Sequence, residues 1–321
     1  HLEQRYAAQV AEAARQGLRE GTRLTHHGQY ALYPRFVPAD RARVPGRDEL
    51  LYYRDDARSR TGFYRLPLRD RAHADEDGAE LVARASTIGS ASYGPEGDLV
   101  FDSTGITSRI YGFQELYRLP PGETDASGFS PDRRRLTFGE RARTPDVSAD
   151  GEHVVFTENH RGTSTLVVAR LGGERGVEDA RVLVPSARFE QAFTPRYSPD
   201  GRRVAYSAWT AGGFRDVRIV DVATGAFREI AHDRAEDWEP SWSPDGKRLV
   251  YVSDEDGKCT RLWVTAADGA AREPLEMPCD KQYSTPLWQR VRRPQRSPLV
   301  PRLPDGWLPR SRLALHPRRC G

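Results

Sequence analysis

One short motif recurs along the chain and constrains its fold more than any other feature. The six copies are YPRFVPAD at Tyr33, SASYGPEG at Ser90, TPDVSADG at Thr144, TPRYSPDG at Thr194, EPSWSPDG at Glu239 and TPLW at Thr285. After the Thr194 and Glu239 copies, apolar residues alternate with polar ones, as in RRVAYS and KRLVYVS. A repeat of this kind indicates one supersecondary unit that stacks on its own copies.

The copies are spaced at the length of a propeller blade. Aligning the large residue that ends each first strand gives Phe36, Tyr93, Val147, Tyr197, Trp242 and Trp288. Neighbouring members are 57, 54, 50, 45 and 46 residues apart, and a four-stranded blade takes roughly 40 to 50 residues. Pro-Asp-Gly suits a tight turn because proline presets φ, aspartate caps its own backbone and glycine accepts a positive φ. Each repeat therefore predicts a short antiparallel hairpin followed by two more strands.

These features predict an all-β fold, a six-bladed β-propeller of four-stranded antiparallel blades over residues 22–288. A single blade cannot bury both of its faces, so neighbouring blades must stack and the ring must close. Residues 22–25, TRLT, are predicted to complete the sixth blade. Residues 1–21 are rich in Ala, Glu, Gln and Arg and predict a short N-terminal helix, which could be the tail of an upstream domain.

The last segment, residues 289–321, departs from the repeat. Its 33 residues include six prolines and nine arginines, and an Asp-Gly turn is missing where the sixth blade needs its second strand. Two interpretations stay open for this irregular C-terminal tail. It is either a disordered tail or a degenerate sixth blade whose reading frame has shifted.

The repeat resembles the WD-repeat-like propellers of the TolB type, whose blade signature is a proline, an aromatic residue, Ser-Pro-Asp-Gly and a short strand. The resemblance covers residues 22–288 and is most specific in the copies at Thr194 and Glu239, whereas Ala149 replaces the proline in the third copy. It implies a six-bladed propeller, a periplasmic or otherwise exported location, and a protein partner. The same blade also occurs as the non-catalytic half of serine peptidases.

Charge and motifs exclude several classes of function. The 49 basic and 46 acidic residues are interspersed and give a net charge of +3, so we predict no nucleic-acid partner. No run approaches the roughly 18 apolar residues of a membrane span. Gly-x-Ser-x-Gly, His-Glu-x-x-His and phosphate-binding glycine loops are all missing from the sequence. We therefore predict that this chain is not an enzyme and holds neither a cofactor nor a metal.

Two of the three cysteines are candidates for a disulfide. If the fifth blade turns at residues 267–270, its outer strands bring Cys259 and Cys279 nearly opposite each other. A cross-strand disulfide is then feasible in an oxidising compartment. The alternative is a pair of unrelated thiols.

A partner is predicted to bind at one face of the propeller or at the mouth of its channel. In an up-and-down blade, the connections between blades and the loops between second and third strands share one face, which is richer in long loops. Tryptophan, tyrosine and arginine are the residue types that carry most interface energy. The candidate contact residues are Tyr111, Arg161, Trp209, Asp237, Trp238 and Glu239. Trp238 could instead fill the gap between two blades, and the charged residues could be solvated rim positions.

Three functions are compatible with the sequence. The first is a non-catalytic scaffold in the cell envelope that binds a protein or peptide. The second is an accessory or gating propeller of a larger exported peptidase or hydrolase whose catalytic domain is not in this chain. The third is a carbohydrate-binding propeller that uses Trp209 and Trp238 as stacking platforms.

Overall fold

A computed structural model describes most of the repeat region. The described residues are 24–25, 30–37, 48–55, 61–69, 74–75, 77–86, 89–107, 111–122, 124–125, 128–160, 162–172, 176–187, 189–255, 257, 259–275 and 284–288. The chain divides into two units, His1–Gln289 and Arg290–Gly321, and every described residue belongs to the first. Strands, turns and irregular segments account for all of these residues, with no helix among them.

The strands group into five blades in chain order. The first blade comprises β1 (Tyr30–Phe36), β2 (Glu49–Asp55), β3 (Gly62–Pro67) and β4 (Glu80–Arg84). The second comprises β5 (Ala91–Tyr93), β6 (Leu99–Thr107), β7 (Tyr111–Leu119) and β8 (Arg134–Arg135). The third comprises β9 (Ala142–Val147), β10 (His153–His160), β11 (Thr163–Leu171) and β12 (Val177–Val184). The fourth comprises β13 (Gln191–Tyr197), β14 (Arg203–Trp209), β15 (Arg215–Asp221) and β16 (Phe227–Ala231), and the fifth comprises β17 (Asp237–Trp242), β18 (Arg248–Ser253), β19 (Arg261–Ala266) and β20 (Glu273–Pro274).

Each blade is an antiparallel sheet whose strands pair in sequence order. The first strands of neighbouring blades contact one another, as β5 contacts β9 and β9 contacts β13, so they form the inner edge. Period-two alternation sends side chains to both faces of a sheet. On β14, Val204 and Tyr206 pack toward the third blade while Ala205 packs toward the fifth. An apolar core therefore lies between each pair of neighbouring blades.

The predicted turn chemistry is present in three blades. In the fourth blade, Ser198 Oγ donates to Asp200 Oδ1, and the same carboxylate oxygen accepts from the Arg202 backbone N–H at 3.1 Å. Gly201 follows with a φ of 70°. The turns that begin at Ser148 and Ser243 repeat these bonds. The Ser-x-Asp-Gly sequence thus satisfies the backbone of the turn locally, as expected of an Asx-type turn.

A feature that the repeat did not predict is a kink in the inner strands. The residue before the repeat proline has a positive φ in four of them, at Tyr33, Thr144, Thr194 and Glu239. The pairing register shifts at the same point, between Phe193 and Arg196 in the fourth blade for example. This is a β-bulge, which bends a strand and redirects the side chains that follow it.

The prediction of six blades is wrong in number, because the described residues form five four-stranded sheets. The sixth repeat start is nevertheless in position. Thr285 has the same positive φ as its counterparts, and the Arg248 guanidinium lies 5.0 Å from the Trp288 ring. Arg203 and Trp242 make the equivalent contact at 4.7 Å between blades four and five. Directly after Trp288 the sequence reads QRVRRP, without the Ser-Pro-Asp-Gly turn that follows Tyr197 and Trp242.

The predicted closure of the ring requires residues 22–25 to form a strand of the sixth blade. Residues 24 and 25 are not in a strand, and Leu24 packs on an apolar face of the first blade formed by Tyr52, Tyr64 and Leu66. The predicted helix over residues 1–21 and the tail over 289–321 lie outside the described residues.

Candidate functional site

The topology gives the propeller two unlike faces. The loops between second and third strands and the connections between blades lie on one face, which we call the loop face. The Asp-Gly turns and the loops between third and fourth strands lie on the other, which we call the turn face. This assignment follows from antiparallel pairing in strict sequence order.

Large apolar side chains are exposed mainly on the loop face. Besides Leu275, which directly follows β20, five of the nine exposed large hydrophobic residues in the described part of the chain lie there, and these five are between 40% and 72% exposed. We call this set the apolar arc, and its members are Ile106, Tyr111, Phe138, Phe189 and Trp209. The arc spans blades two to four. Large apolar residues that are exposed on one shared face make that face a candidate interaction surface.

Arginine side chains stack on the arc in the second blade. The Arg135 guanidinium lies 4.9 Å from the Phe138 ring, and its Nη1 donates to the Ile106 carbonyl at 2.9 Å. Tyr111 stacks on Phe113 with ring centroids 6.2 Å apart, and Arg141 lies 4.2 Å from the Phe113 ring. These cation–π contacts hold the rings in place. Arg135 also donates to the Thr137 carbonyl and pairs with Glu115, whereas Arg141 is exposed.

A third arginine contacts both of the predicted tryptophans. The Arg215 guanidinium lies 5.8 Å from the Trp209 ring and 4.9 Å from the Trp238 ring. Its Nε donates to Glu236 Oε2 at 2.7 Å, which fixes the guanidinium between the rings. Trp209 comes from the end of β14 and Trp238 from β17, so the contact links blades four and five.

The two predicted acidic residues lie deeper than the tryptophans. Asp237 is 0% exposed, and burial raises its pKa to about 7. Glu239 is half-buried, its Oε2 accepts a hydrogen bond from the Thr285 N–H, and burial raises the pKa of its carboxyl. Neither carboxylate is a freely solvated rim charge, because both are held in the inner strand of the fifth blade.

The remaining predicted residues are only partly described. Tyr111 and Trp209 are exposed as expected, whereas Arg161 lies outside the described residues. Cys259 is disulfide-bonded, and its Sγ accepts a hydrogen bond from Arg261 Nε at 3.3 Å. Cys279 lies outside the described residues, so its pairing with Cys259 stays a prediction.

Sequence reasoning missed several residues of the loop face. Ile106, Phe138, Arg135 and Arg141 were not among the candidates. Phe138 and Arg141 belong to the connection that follows the two-residue strand β8. The available signal was a large apolar residue close to arginines in a connection between blades. This connection could not be located from the sequence, because β8 is too short to be recognised from alternation.

Two clusters in the described residues have the composition of metal ligands, namely Asp150, Glu152 and His153, and Asp216, Glu229 and His232. In the first, Asp150 is already engaged by its own turn. In the second, Glu229 accepts from Arg218 at 3.0 Å, and His232 Nδ1 lies 2.7 Å from Asp216 Oδ2. Internal contacts account for both clusters, so neither supports a metal site. The described residues also include no helix long and apolar enough to cross a membrane.

Sequence similarity connects the chain to a known domain. A family model for the TolB beta propeller domain matches residues 125–291, just over half of the chain. The uncharacterized peptidase YuxL of Bacillus subtilis (strain 168) is 32% identical over 100 residues, which are 29% of this chain and 15% of YuxL. The Tol-Pal system protein TolB of Francisella tularensis subsp. tularensis (strain WY96-3418) is 27% identical over 139 residues, 42% of this chain and 30% of that protein. The matched part is thus less than a third of either relative.

Solved structures share the fold at lower identity. TolB from Acinetobacter baumannii superposes with a TM-score of 0.55 at 20% identity, over 77% of this chain and 54% of that one. A puromycin-hydrolyzing peptidase of Mycobacterium tuberculosis gives 0.54 at 15% identity, over 81% of this chain and 40% of that one. At these identities the likeness shows the fold alone.

Proposed function

The chain belongs to the TolB beta propeller domain family, and on that premise we propose that it is a non-catalytic scaffold that binds a protein or peptide in the cell envelope. The observation that supports this function is the apolar arc on the loop face, interleaved with Arg135, Arg141 and Arg215. Aromatic and arginine side chains dominate the energetic centres of protein interfaces.

The chemistry of the loop face specifies the kind of partner. Exposed rings offer apolar area, and the exposed Arg141, stacked on Phe113, offers hydrogen-bond donors to a carboxylate. The partner is therefore a segment that combines apolar side chains with Asp or Glu. A periplasmic or otherwise exported location belongs to the same proposal, because it rests on the TolB-like relatives and not on a targeting signal.

The proposal predicts that a substitution on the loop face weakens binding, whereas a substitution on the turn face does not. Peptides would be selected from a phage-displayed library against the immobilised protein, and their affinities measured by biolayer interferometry. We expect Phe138→Ser and Trp209→Ala each to weaken the selected peptides at least tenfold, which is about 1.4 kcal/mol.

Phe129→Ser is the matched control for Phe138→Ser. Phe129 is 54% exposed and Phe138 is 63% exposed, but Phe129 belongs to the loop between β7 and β8 on the turn face. Its replacement should change the affinity less than twofold. Equal losses in the two serine variants would rule out the loop face as the binding surface.

The second candidate function is an accessory or gating propeller of a larger peptidase. It is favoured by the 32% identity to the peptidase YuxL and by the small share of YuxL that the match covers. In that case the native gene product carries a serine hydrolase domain and reacts with a fluorophosphonate probe. An antibody against the propeller should then recognise the labelled band. A native product that the antibody recognises and the probe leaves unlabelled would count against this function.

A further inference from the structure

The inner strands place one residue of each repeat at the centre of the propeller. In five of the six repeats this residue follows the repeat proline, and in blades one, three, four and five it comes directly after the bulge. The series is Arg35, Ser92, Asp146, Arg196, Ser241 and Leu287. Arg35 Nη2 lies 4.0 Å from Asp146 Oδ1 although the two residues belong to blades one and three. Blades that are not neighbours can meet in this way only across the ring axis.

Two arginines of this series are buried near each other. The side chain of Arg35 is 11% exposed, and Arg196, from the fourth blade, is 8% exposed. Burial lowers the pKa of Arg35 to about 9, and the like charge of Arg196 contributes in the same direction. Burial also lowers the pKa of Arg196. Two guanidinium groups in a shielded space favour the approach of an anion.

The hydrogen-bonding capacity of Arg35 is only partly used. Its Nη1 donates to the Pro34 carbonyl at 3.3 Å, but its buried Nε and Nη2 donate no hydrogen bond within the described part of the chain. Arg196 Nη1 likewise donates to its own neighbour, the Pro195 carbonyl, at 2.6 Å. Buried donors of this kind are costly unless a partner satisfies them.

The nearby carboxylates accept no hydrogen bond from these donors, although Asp146 is close enough to compete with an anion for Arg35. Asp146 Oδ2 accepts from the Tyr197 N–H at 2.8 Å and Oδ1 from Ser92 Oγ at 3.4 Å, so this side chain ties blades two, three and four together. Glu239 is the other acidic group close enough to act on both arginines. Its Oε2 is engaged by the Thr285 N–H.

We propose that Arg35 and Arg196 form a binding site for a small oxyanion at the ring axis. The guanidinium fork matches the two oxygens of a carboxylate or a phosphate, and charge-assisted hydrogen bonds to it would satisfy the buried donors. The site is separate from the loop face and does not depend on the peptide partner proposed there.

Thermal unfolding with inorganic phosphate or acetate, against sodium chloride at equal ionic strength, tests the site. At about a hundred times the dissociation constant, we expect the bound anion to raise the Tm of the unaltered protein by about 5 °C. A shift with acetate assigns a carboxylate site, and a shift with phosphate alone assigns a phosphate site. The absence of any shift beyond that of chloride refutes the proposal.

Four variants make the test specific. Arg35→Met should lose the shift, whereas Arg170→Met should keep it, because Arg170 lies on the outer part of the third blade and pairs with Glu178 and Asp179. Asp146→Asn removes an internal competitor and should enlarge the shift. Retention of the full shift in Arg35→Met, or a smaller shift in Asp146→Asn, would overturn the assignment. If Arg35→Met does not fold, Arg35→Lys should fold and show a reduced shift.

Discussion

Replacing Glu115 with alanine is expected to lower the free energy of unfolding by about 3–5 kcal/mol, the usual loss when one partner of a buried ion pair is removed. Glu115 is fully buried in β7. Its Oε1 accepts from the Gly139 N–H at 2.7 Å and pairs with Arg135 at 3.0 Å, and its Oε2 accepts from Thr137 Oγ1 at 2.6 Å. One carboxylate thus holds the whole segment that follows the two-residue strand β8.

Urea unfolding followed by tryptophan fluorescence measures this loss. Glu115→Gln keeps one acceptor oxygen and should lose less than Glu115→Ala. Glu178→Ala is the control, since Glu178 forms a half-exposed pair with Arg170 and should cost less than about 1 kcal/mol. A loss below 1 kcal/mol in Glu115→Ala would show that β8 is held by other contacts.

Substitution of Glu115 is also expected to alter the loop face. Arg135, which pairs with Glu115, also stacks on Phe138 and donates to the Ile106 carbonyl. Glu115 is therefore a positioning residue for the apolar arc. We expect Glu115→Gln to weaken selected peptides even at temperatures where the variant remains fully folded.

Asp237→Asn is expected to raise the free energy of unfolding at pH 8 by about 2–4 kcal/mol. Burial raises the pKa of Asp237 to about 7 in the folded protein, against about 3.9 in the unfolded chain. Between these values the folded state holds the proton and the unfolded state does not, so stability falls as the pH rises. Three pKa units correspond to about 4 kcal/mol, which is an upper limit for the gain.

Urea unfolding of both proteins from pH 5 to pH 8 tests this prediction. The wild-type protein should lose stability across this range, and Asp237→Asn should lose less. A residual slope is expected in the variant because burial also raises the pKa of Asp102 to about 6. A variant that is no more stable than the wild type at pH 8 would mean that Asp237 is ionised and well paired in the folded state.

Local features of the fold followed from the sequence because each depends on a few neighbouring residues. Alternation predicted strands such as β14 and β18, and Ser-Pro-Asp-Gly predicted the turns with the bonds that the structure contains. Membership of the TolB beta propeller family was predicted from the same motifs and is confirmed. The number of blades was predicted wrongly, because the sixth copy has a first-strand signature without the turn that normally follows it.

The candidate site was only partly predictable. Tyr111 and Trp209 were identified correctly as exposed residues, since large rings in loops between strands have few packing partners. Asp237 was expected near the surface because it is charged and begins a strand, but neighbouring strands enclose it. Burial of a strand-end carboxylate depends on how closely the adjoining elements pack, and a local sequence pattern does not predict that packing.

The repeat by itself determined that this chain forms stacked four-stranded blades, where each blade turns and which face carries the long loops. Only the tertiary structure decided which residues meet across the ring. Arg35, Asp146 and Arg196 are more than a hundred residues apart at their extremes, and the contact of Trp209 with Trp238 depends on Arg215 between them. The physical reason is the bulge before each repeat proline, which interrupts strict alternation and redirects the next side chain. The ring then sets which of these redirected side chains lie within reach of one another.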